Sequence, residues 1–321
     1  MNTAELSNFK HNNAILSLAV SSDGKYIVSG SNDIHVWDLK TEKLVRIFEG
    51  KNDIFYSLAF SPDTKFVIGG SFDNTLKIWE LKTGKLVHIL EGHEQPVAAV
   101  KISPDGKFII SGSRDFSVKI WSINSGKCHE TFKAHWGPVK SVAVSPDGRY
   151  IVSGSGEYRY SGTKDYTLKL WDLETGMPVH TFIGHEHDIP TVEFSPDGKY
   201  IVSGSWDNSI KIWNVKKRTL LRSIEDEQNT IPVYTIALTP DGKYIISGLQ
   251  DGTIKFWDFK TGRFLYAFKA HKGVIWEVVI SNDEKYLVTG SDDKLVKVWN
   301  FMELKKECEL KLKLKIGDKY F

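Results

Sequence analysis

An all-β fold of seven antiparallel four-stranded units arranged in a ring is what this sequence predicts, and three observations carry the prediction. The motif SPDG, or a near variant, begins at Ser21, Ser61, Ser103, Ser145, Ser195, Thr239 and Ser281. A tryptophan follows each one, at Trp37, Trp79, Trp121, Trp171, Trp213, Trp257 and Trp299, with spacings of 42, 42, 50, 42, 44 and 42 residues. Between these landmarks apolar and polar residues alternate in short runs bounded by turn residues, roughly every 8–12 positions, the pattern of half-buried strands.

The third unit, VAAVKISPDGKFIISGSRDFSVKIWSINSGKCHETF, justifies each element in turn. An apolar strand runs from Val97 into Pro104-Asp105-Gly106, where proline presets φ for a turn and glycine takes the positive φ. KFIISGS alternates as a second strand, RDF turns, SVKIW is the third, NSG turns again and KCHETF is the fourth. One such sheet has two apolar faces and cannot bury both alone, whereas a closed ring covers every face with a neighbour and leaves only short edges.

The period, SPDG, the SGSxD stretch and the closing Trp-Asp or its variants resemble the WD-repeat family. Trp-Asp is literal at Trp37, Trp171 and Trp257 and becomes Trp-Glu, Trp-Ser or Trp-Asn elsewhere. The resemblance covers about residues 11 to 300 and implies a seven-bladed β-propeller over residues 1–300, without implying a function. Such propellers commonly close by lending an N-terminal strand to the last blade, and Ala4 to Lys10 fits that place. CELKLKLKI competes for it, with Cys308, Leu310, Leu312, Leu314 and Ile316 on one face, so residues 301–321 are expected to form a strand, as a tail or as the alternative closing strand.

Composition narrows the class of protein. Of 321 residues, 41% are hydrophobic and 26% charged, with a net charge of +2, which describes a globular chain with no overall pull toward nucleic acid. Two cysteines, Cys128 and Cys308, suggest neither a disulfide framework nor a thiolate metal site. The N-terminus lacks a charged and apolar leader and no 18 apolar residues run together, so a cytoplasmic or nuclear protein without membrane insertion is expected.

Ser, His and Asp recur together, as in a hydrolase triad. The third unit holds His93, Ser111, Asp115 and Trp121; the fourth His135, Ser161, Asp165 and Trp171; the fifth His185, Ser203, Asp207 and Trp213; the seventh His271, Thr289, Asp293 and Trp299. An active site does not need four copies, and no oxyanion or substrate motif accompanies them. The family resemblance implies instead a hydrogen-bonded tetrad that pins the strands of a blade. Lys51 and Asn229 replace the histidine in units two and six, and Gly69 replaces the serine in unit two, so those blades are expected to be less firmly tied. His185 and His187 lie close in GHEHD but have no further ligand cluster, so no metal, cofactor or enzymatic activity is expected.

Function is sought where the units differ. From SPDG to tryptophan, units two, three, five, six and seven span 18 residues, the first 16 and the fourth 26. The extra eight, GEYRYSGT, lengthen the hairpin between the second and third strands of unit four. In the family this hairpin lies on the face called the top, where blade-to-blade loops also run. Three tryptophans beyond the closing seven, Trp136, Trp206 and Trp276, map to that face as well. Positional equivalence gives a channel-mouth arc of Tyr234, Trp276, Leu16 and Tyr56, with Phe72 and Trp206 outside it, Arg114 and Lys140 at equivalent positions, and Tyr158, Arg159 and Tyr160 overhanging the far side.

Exposed aromatics with an arginine supply rigid contact area with polar tips, so this set is expected to bind a protein or peptide. An aromatic mouth also suits a cationic side chain. On the opposite face a ring of bases, Lys25, Lys65, Lys107, Arg149, Lys199, Lys243 and Lys285, offers the alternative of a nucleic-acid-associated or ribonucleoprotein subunit, although each base lies near its own turn acid. The expectation is a non-catalytic scaffold or adaptor, a monomeric propeller within a larger complex.

Overall fold

The computed structural model describes residues 4–50, 53–133, 135–158, 162–225 and 230–317, with side chains to residue 310. Seven four-stranded antiparallel sheets form the seven-bladed β-propeller expected from the repeat, and one further two-stranded ladder belongs to the unit-four insertion. Blades 1 to 6 span residues 17–48, 55–90, 97–133, 139–182, 191–225 and 233–269. Blade 7 takes its inner three strands from Ile275–Ile280, Tyr286–Ser291 and Leu295–Asn300 and its outer strand from Glu5–Lys10, which runs antiparallel to Leu295–Asn300. The innermost strands touch their neighbours all the way round, first to last included.

The core is divided among the junctions between blades. Ile68, Ile78 and Leu90 of blade 2 pack on Val97, Ile109 and Trp121 of blade 3, and Phe9, Val288 and Val296 of blade 7 pack on Ile15, Ile27 and Trp37 at blade 1. Close approach explains the glycine of SGS. A Cβ on Gly112 would stand 2.5 Å from Val139 of the next blade, and one on Gly290 would stand 2.7 Å from Ile15. The SPDG turn is stapled by its serine: in blade 3 the Ser103 hydroxyl donates to Asp105 (2.6 Å) and accepts the Phe108 amide (2.9 Å), while Gly106 takes φ +72°.

In blades 3, 4, 5 and 7 the recurring polar residues tie the blade to the loop that enters it. In blade 3 the Trp121 indole donates to Ser111 Oγ at 2.8 Å, His93 Nε2 meets the same hydroxyl at 2.7 Å, and His93 Nδ1 meets Asp115 at 2.7 Å. Because the carboxylate only accepts, Nδ1 donates to it and Nε2 accepts from serine. Burial raises the Asp115 carboxyl, but the hydrogen bonds it accepts from His93, Ser117 and the Glu94 amide hold it well below the usual range. Blade 5 repeats the geometry with His185, Ser203, Asp207 and Trp213, and blade 7 with His271, Thr289, Asp293 and Trp299. Ser111 and Ser203 are fully buried, so no substrate can reach these hydroxyls.

In blade 4 the serine is not the expected one. His135 Nε2 and the Trp171 indole meet Ser153 Oγ, at 2.7 and 3.1 Å, whereas Ser161 lies outside the described residues. The reason is register. Ser153 pairs across to Val142 as Ser111 pairs to Val100, so the second strand continues directly from its SPDG turn and the insertion follows it. Asp165 rejoins the tetrad beyond the insertion, 3.0 Å from His135.

The other blades vary the tie. Lys51 and Asn229 lie outside the described residues. At blade 2 a Cβ on Gly69 would stand 2.8 Å from Phe55, whose buried ring meets Trp79 edge-on at 5.6 Å, and Lys77 bridges Asp53 and Asp73, each at 2.5 Å. Blade 1 keeps His11, Ser29 and Trp37 but stacks His35 on His11, centroids 4.0 Å apart. Desolvation and the neighbouring His35 lower the His11 pKa to about 3, so this imidazole stays neutral.

The C-terminal segment corrects a second expectation. Residues Phe301–Gly317 form an α-helix, not a strand. Phe301, Leu304 and Cys308, spaced for one helical face, are fully buried against Tyr244, Phe256 and Leu265 of blade 6. Lys305 adds ion pairs of 2.7 Å to both Asp241 and Glu284. No helix of the described residues is long and apolar enough to cross a membrane.

The tetrad assignment yields a paired test. Ser153→Ala is expected to lower the stability to denaturant by about 1–3 kcal/mol, because it strands buried partners, and Ser161→Ala to leave it unchanged.

Candidate functional site

The inner strands build the channel. Hydroxyls at equivalent positions bind the next blade: Ser17 accepts the Leu58 amide at 2.8 Å, Ser57 that of Val100 at 2.9 Å and Thr191 that of Ile236 at 3.2 Å. Three charged residues interrupt the small side chains. Lys101, Glu193 and Glu277 lie where the cavities of the two channel ends meet. Glu193 accepts the Leu238 amide at 3.0 Å, and desolvation raises its pKa. Desolvation, opposed by the Lys101 charge and reinforced by Glu193, raises Glu277 to about 7. These residues escaped the sequence reading, although Lys101 in VKIS, Glu193 in VEFS and Glu277 in WEVVIS each put a charge where most inner strands have a small or apolar residue.

Above this waist a cavity of about 240 Å³ opens at the mouth, and each blade contributes to its wall. Leu16, Tyr56, Arg114, Lys140, Trp206, Tyr234 and Trp276 come from blades 1 to 7 in that order. Trp206, Tyr234 and Trp276 form a continuous run, with centroids 5.2 and 5.0 Å apart and the second contact edge-on. Trp206 is thus part of the wall, not outside the arc. The Trp276 indole donates to Asp292 at 2.5 Å, which fixes its tilt. Two cations lie on ring faces: Arg114 stands 4.8 Å from the Tyr56 centroid and Lys140 stands 5.6 Å from that of Trp206.

The remaining aromatics stand around the mouth. Phe72 is exposed beside Tyr56, centroids 6.3 Å apart. Trp136 is 76% exposed and does not line the cavity, and its amide is held by Asp165 at 2.7 Å. In the insertion, Glu157–Tyr158 pairs with Thr163–Lys164. Asp188, almost wholly buried, anchors its base by accepting the Glu157 amide at 2.6 Å and pairing with Lys140 at 3.1 Å. A Cβ on Gly156 would stand 2.5 Å from Asp188, so this approach requires glycine. Tyr158 meets Phe116 of blade 3 edge-on at 5.1 Å, whereas Arg159 and Tyr160 lie outside the described residues. Tyr166 stacks on His187, which continues the aromatic run to Trp206.

On the opposite face the bases are engaged locally. Lys107, Lys199, Lys243 and Lys285 pair with their own turn acids at 3.4, 3.0, 3.5 and 2.8 Å. Lys25, Lys65 and Arg149 lie over Tyr26, Phe66 and Tyr150 at 4.8–4.9 Å. No group of His, Cys, Asp and Glu suited to a metal ion exists among the described residues.

Glu277 gives a pH test. Its folded pKa lies above the unfolded value of about 4.5, so its contribution to stability is full below that value and is lost as pH rises through about 7. Lys101, Glu193 and Thr235 are the groups that act on it. Glu277→Gln is therefore expected to match wild type in thermal melts at pH 5 and to melt higher at pH 8, by a gain on the order of 2–3 kcal/mol.

Comparison with known proteins follows the blades. Seven consecutive segments, residues 4–38, 42–80, 84–122, 126–172, 176–214, 218–258 and 262–300, match the family model described as WD domain, G-beta repeat. The chain is 44% identical over 69 residues to the U3 snoRNP-associated protein-like EMB2271 of Arabidopsis thaliana, covering 21% of this chain and 14% of that protein. It is 42% identical over 62 residues to the guanine nucleotide-binding protein subunit beta of Schizosaccharomyces pombe, covering 19% of this chain and 20% of the relative. A 35% match over 63 residues to the WD repeat-containing protein SL1-17 of Schistosoma mansoni covers 19% and 21%. The chain thus spans 14–21% of the length of these relatives. With seven matching repeats laid over seven blades, the chain belongs to the WD40 family.

Proposed function

We propose that this chain is a non-catalytic scaffold that binds a protein or peptide partner through the aromatic mouth and its rim. The observation that carries the reading is the run Trp206–Tyr234–Trp276 on the wall of an open cavity. Half-buried aromatics with fixed orientation lose little entropy on binding and offer both apolar area and polar tips. The insertion, tied down at Asp188 and reaching Phe116, supports it as a second contact region beside the mouth. Burial of the tetrad hydroxyls supports the absence of catalysis.

A ribonucleoprotein role is the second reading, favoured by relatives whose names describe them as U3 snoRNP-associated. It would place the protein in the nucleus. The local pairing of the bottom-face bases favours protein contacts within such a particle over direct RNA binding.

Quantitative affinity capture tests both readings. Wild type is compared with Tyr234→Ala/Trp276→Ala and with a variant lacking residues 156–163, each checked for folding by near-UV circular dichroism. The first variant is expected to lose the partners of wild type by tenfold or more, in ribonuclease-treated and untreated extracts alike. Unchanged partners would overturn the mouth as the working surface, and loss confined to ribonuclease-treated extracts would favour RNA bridging.

A further inference from the structure

Two hydrogen-bond donors at the mouth have no acceptor. Nε of Arg114 and Nε1 of Trp206 are buried without a partner among the described residues, a costly state for a buried polar group. The Arg114 guanidinium lies over Tyr56, and no carboxylate pairs with it among the described residues. Lys140, the other rim cation, is already neutralised by Asp188 at 3.1 Å.

This arrangement turns the ligand chemistry away from a cationic side chain. The ring faces that would cradle a cation at Tyr56 and Trp206 are occupied by Arg114 and Lys140. What Arg114 lacks is an acceptor with negative charge among the described residues. We propose that the mouth takes the carboxylate of a Glu or Asp side chain in an exposed peptide segment of a partner protein. The carboxylate pairs with the Arg114 guanidinium, and a neighbouring apolar residue of the segment lies against the run of Trp206, Tyr234 and Trp276.

The proposal rests on the reading of the mouth as a protein-binding surface and adds the chemistry of its occupant. A cavity of about 240 Å³ admits one or two side chains, not a folded domain. Arginine suits a carboxylate because its planar fork presents parallel donors. The waist sets the charge and depth that are tolerated. Glu193 and Glu277 lie beneath with Lys101 as their counter-ion, so a single negative charge at the level of the rim is accommodated better than a phosphate dianion driven deeper.

Panning a random phage-displayed peptide library against the full chain tests this. Recovered peptides are expected to share a Glu or Asp beside a bulky apolar residue. Their Kd is expected to weaken roughly ten- to a hundredfold in Arg114→Gln, and equally when the peptide acid becomes its amide. The two changes together are expected to cost little more than either alone, with partial recovery in Arg114→Lys. Near-UV circular dichroism verifies that each variant folds. Peptides that require Tyr234 and Trp276 yet bind Arg114→Gln as tightly as wild type would overturn the carboxylate site and leave the protein-binding reading standing. So would a preference for basic peptides, or for phosphoserine over glutamate in matched peptides. Displacement of bound peptide by a homopolymer RNA that depends on Arg114 would reassign the site to phosphate. Recovery of no peptide, or only of peptides indifferent to all three residues, would overturn both readings.

Discussion

Closure of the ring by one borrowed strand is the constraint on which the rest depends. A blade has two apolar faces, and each core cluster is shared between neighbours, so an open end would leave one face of blade 7 and one of blade 1 in water. The borrowed strand prevents this in three ways. It completes blade 7 through the ladder from Glu5 opposite Trp299 to Lys10 opposite Leu295. It buries Phe9 against Trp37 of blade 1, rings stacked at 4.7 Å. It then delivers His11 to the Ser29 hydroxyl, which ties the strand's exit to the first blade. The matched repeats have the same offset: the segment 42–80 begins with the outer strand of blade 1 and ends with the third strand of blade 2. Each repeat therefore bridges two blades, and the first and last need one another.

Function follows from the same constraint. Because the inner strands contact their neighbours round the full circle, equivalent positions of seven units converge on one opening. Substitutions that no single blade needs for stability can accumulate there. Small residues at the waist are replaced by Lys101, Glu193 and Glu277, and the rim divides into a cationic sector on blades 3 and 4 and an aromatic sector on blades 5 to 7. The tetrads of blades 3, 4, 5 and 7 share one geometry because each serves its own blade; the mouth is varied because it serves the whole ring.

Much of this was legible in the sequence, since spacing and residue type are properties of single units. The number of blades, their strands, the tetrads of blades 3, 5 and 7 and most of the mouth residues follow from aligning one repeat on the next. Three features did not. Ser161 belongs to the copy that runs straight into the strand ending in Trp171, ten residues before it as Ser111 is before Trp121, yet every SPDG start precedes its tetrad position by eight residues, as Ser103 precedes Ser111 and Ser145 precedes Ser153. The tail alternates polar and apolar residues as a strand would, but its fate is set earlier, by Phe301, Leu304 and Cys308 finding the groove at Tyr244 and Phe256. The pairing of Arg114 with Tyr56, and of Lys140 with Asp188, joins different blades, and no pattern within a unit encodes it.

Hydrogen–deuterium exchange of the full chain under native conditions tests closure most directly. The account predicts that the amides of Glu5–Lys10 are protected to the same degree as those of the seven inner strands and exchange with them in one cooperative opening. Rapid exchange of that strand while the inner strands and the mouth remain protected would contradict it, and would mean that the ring and its mouth hold together without the borrowed strand.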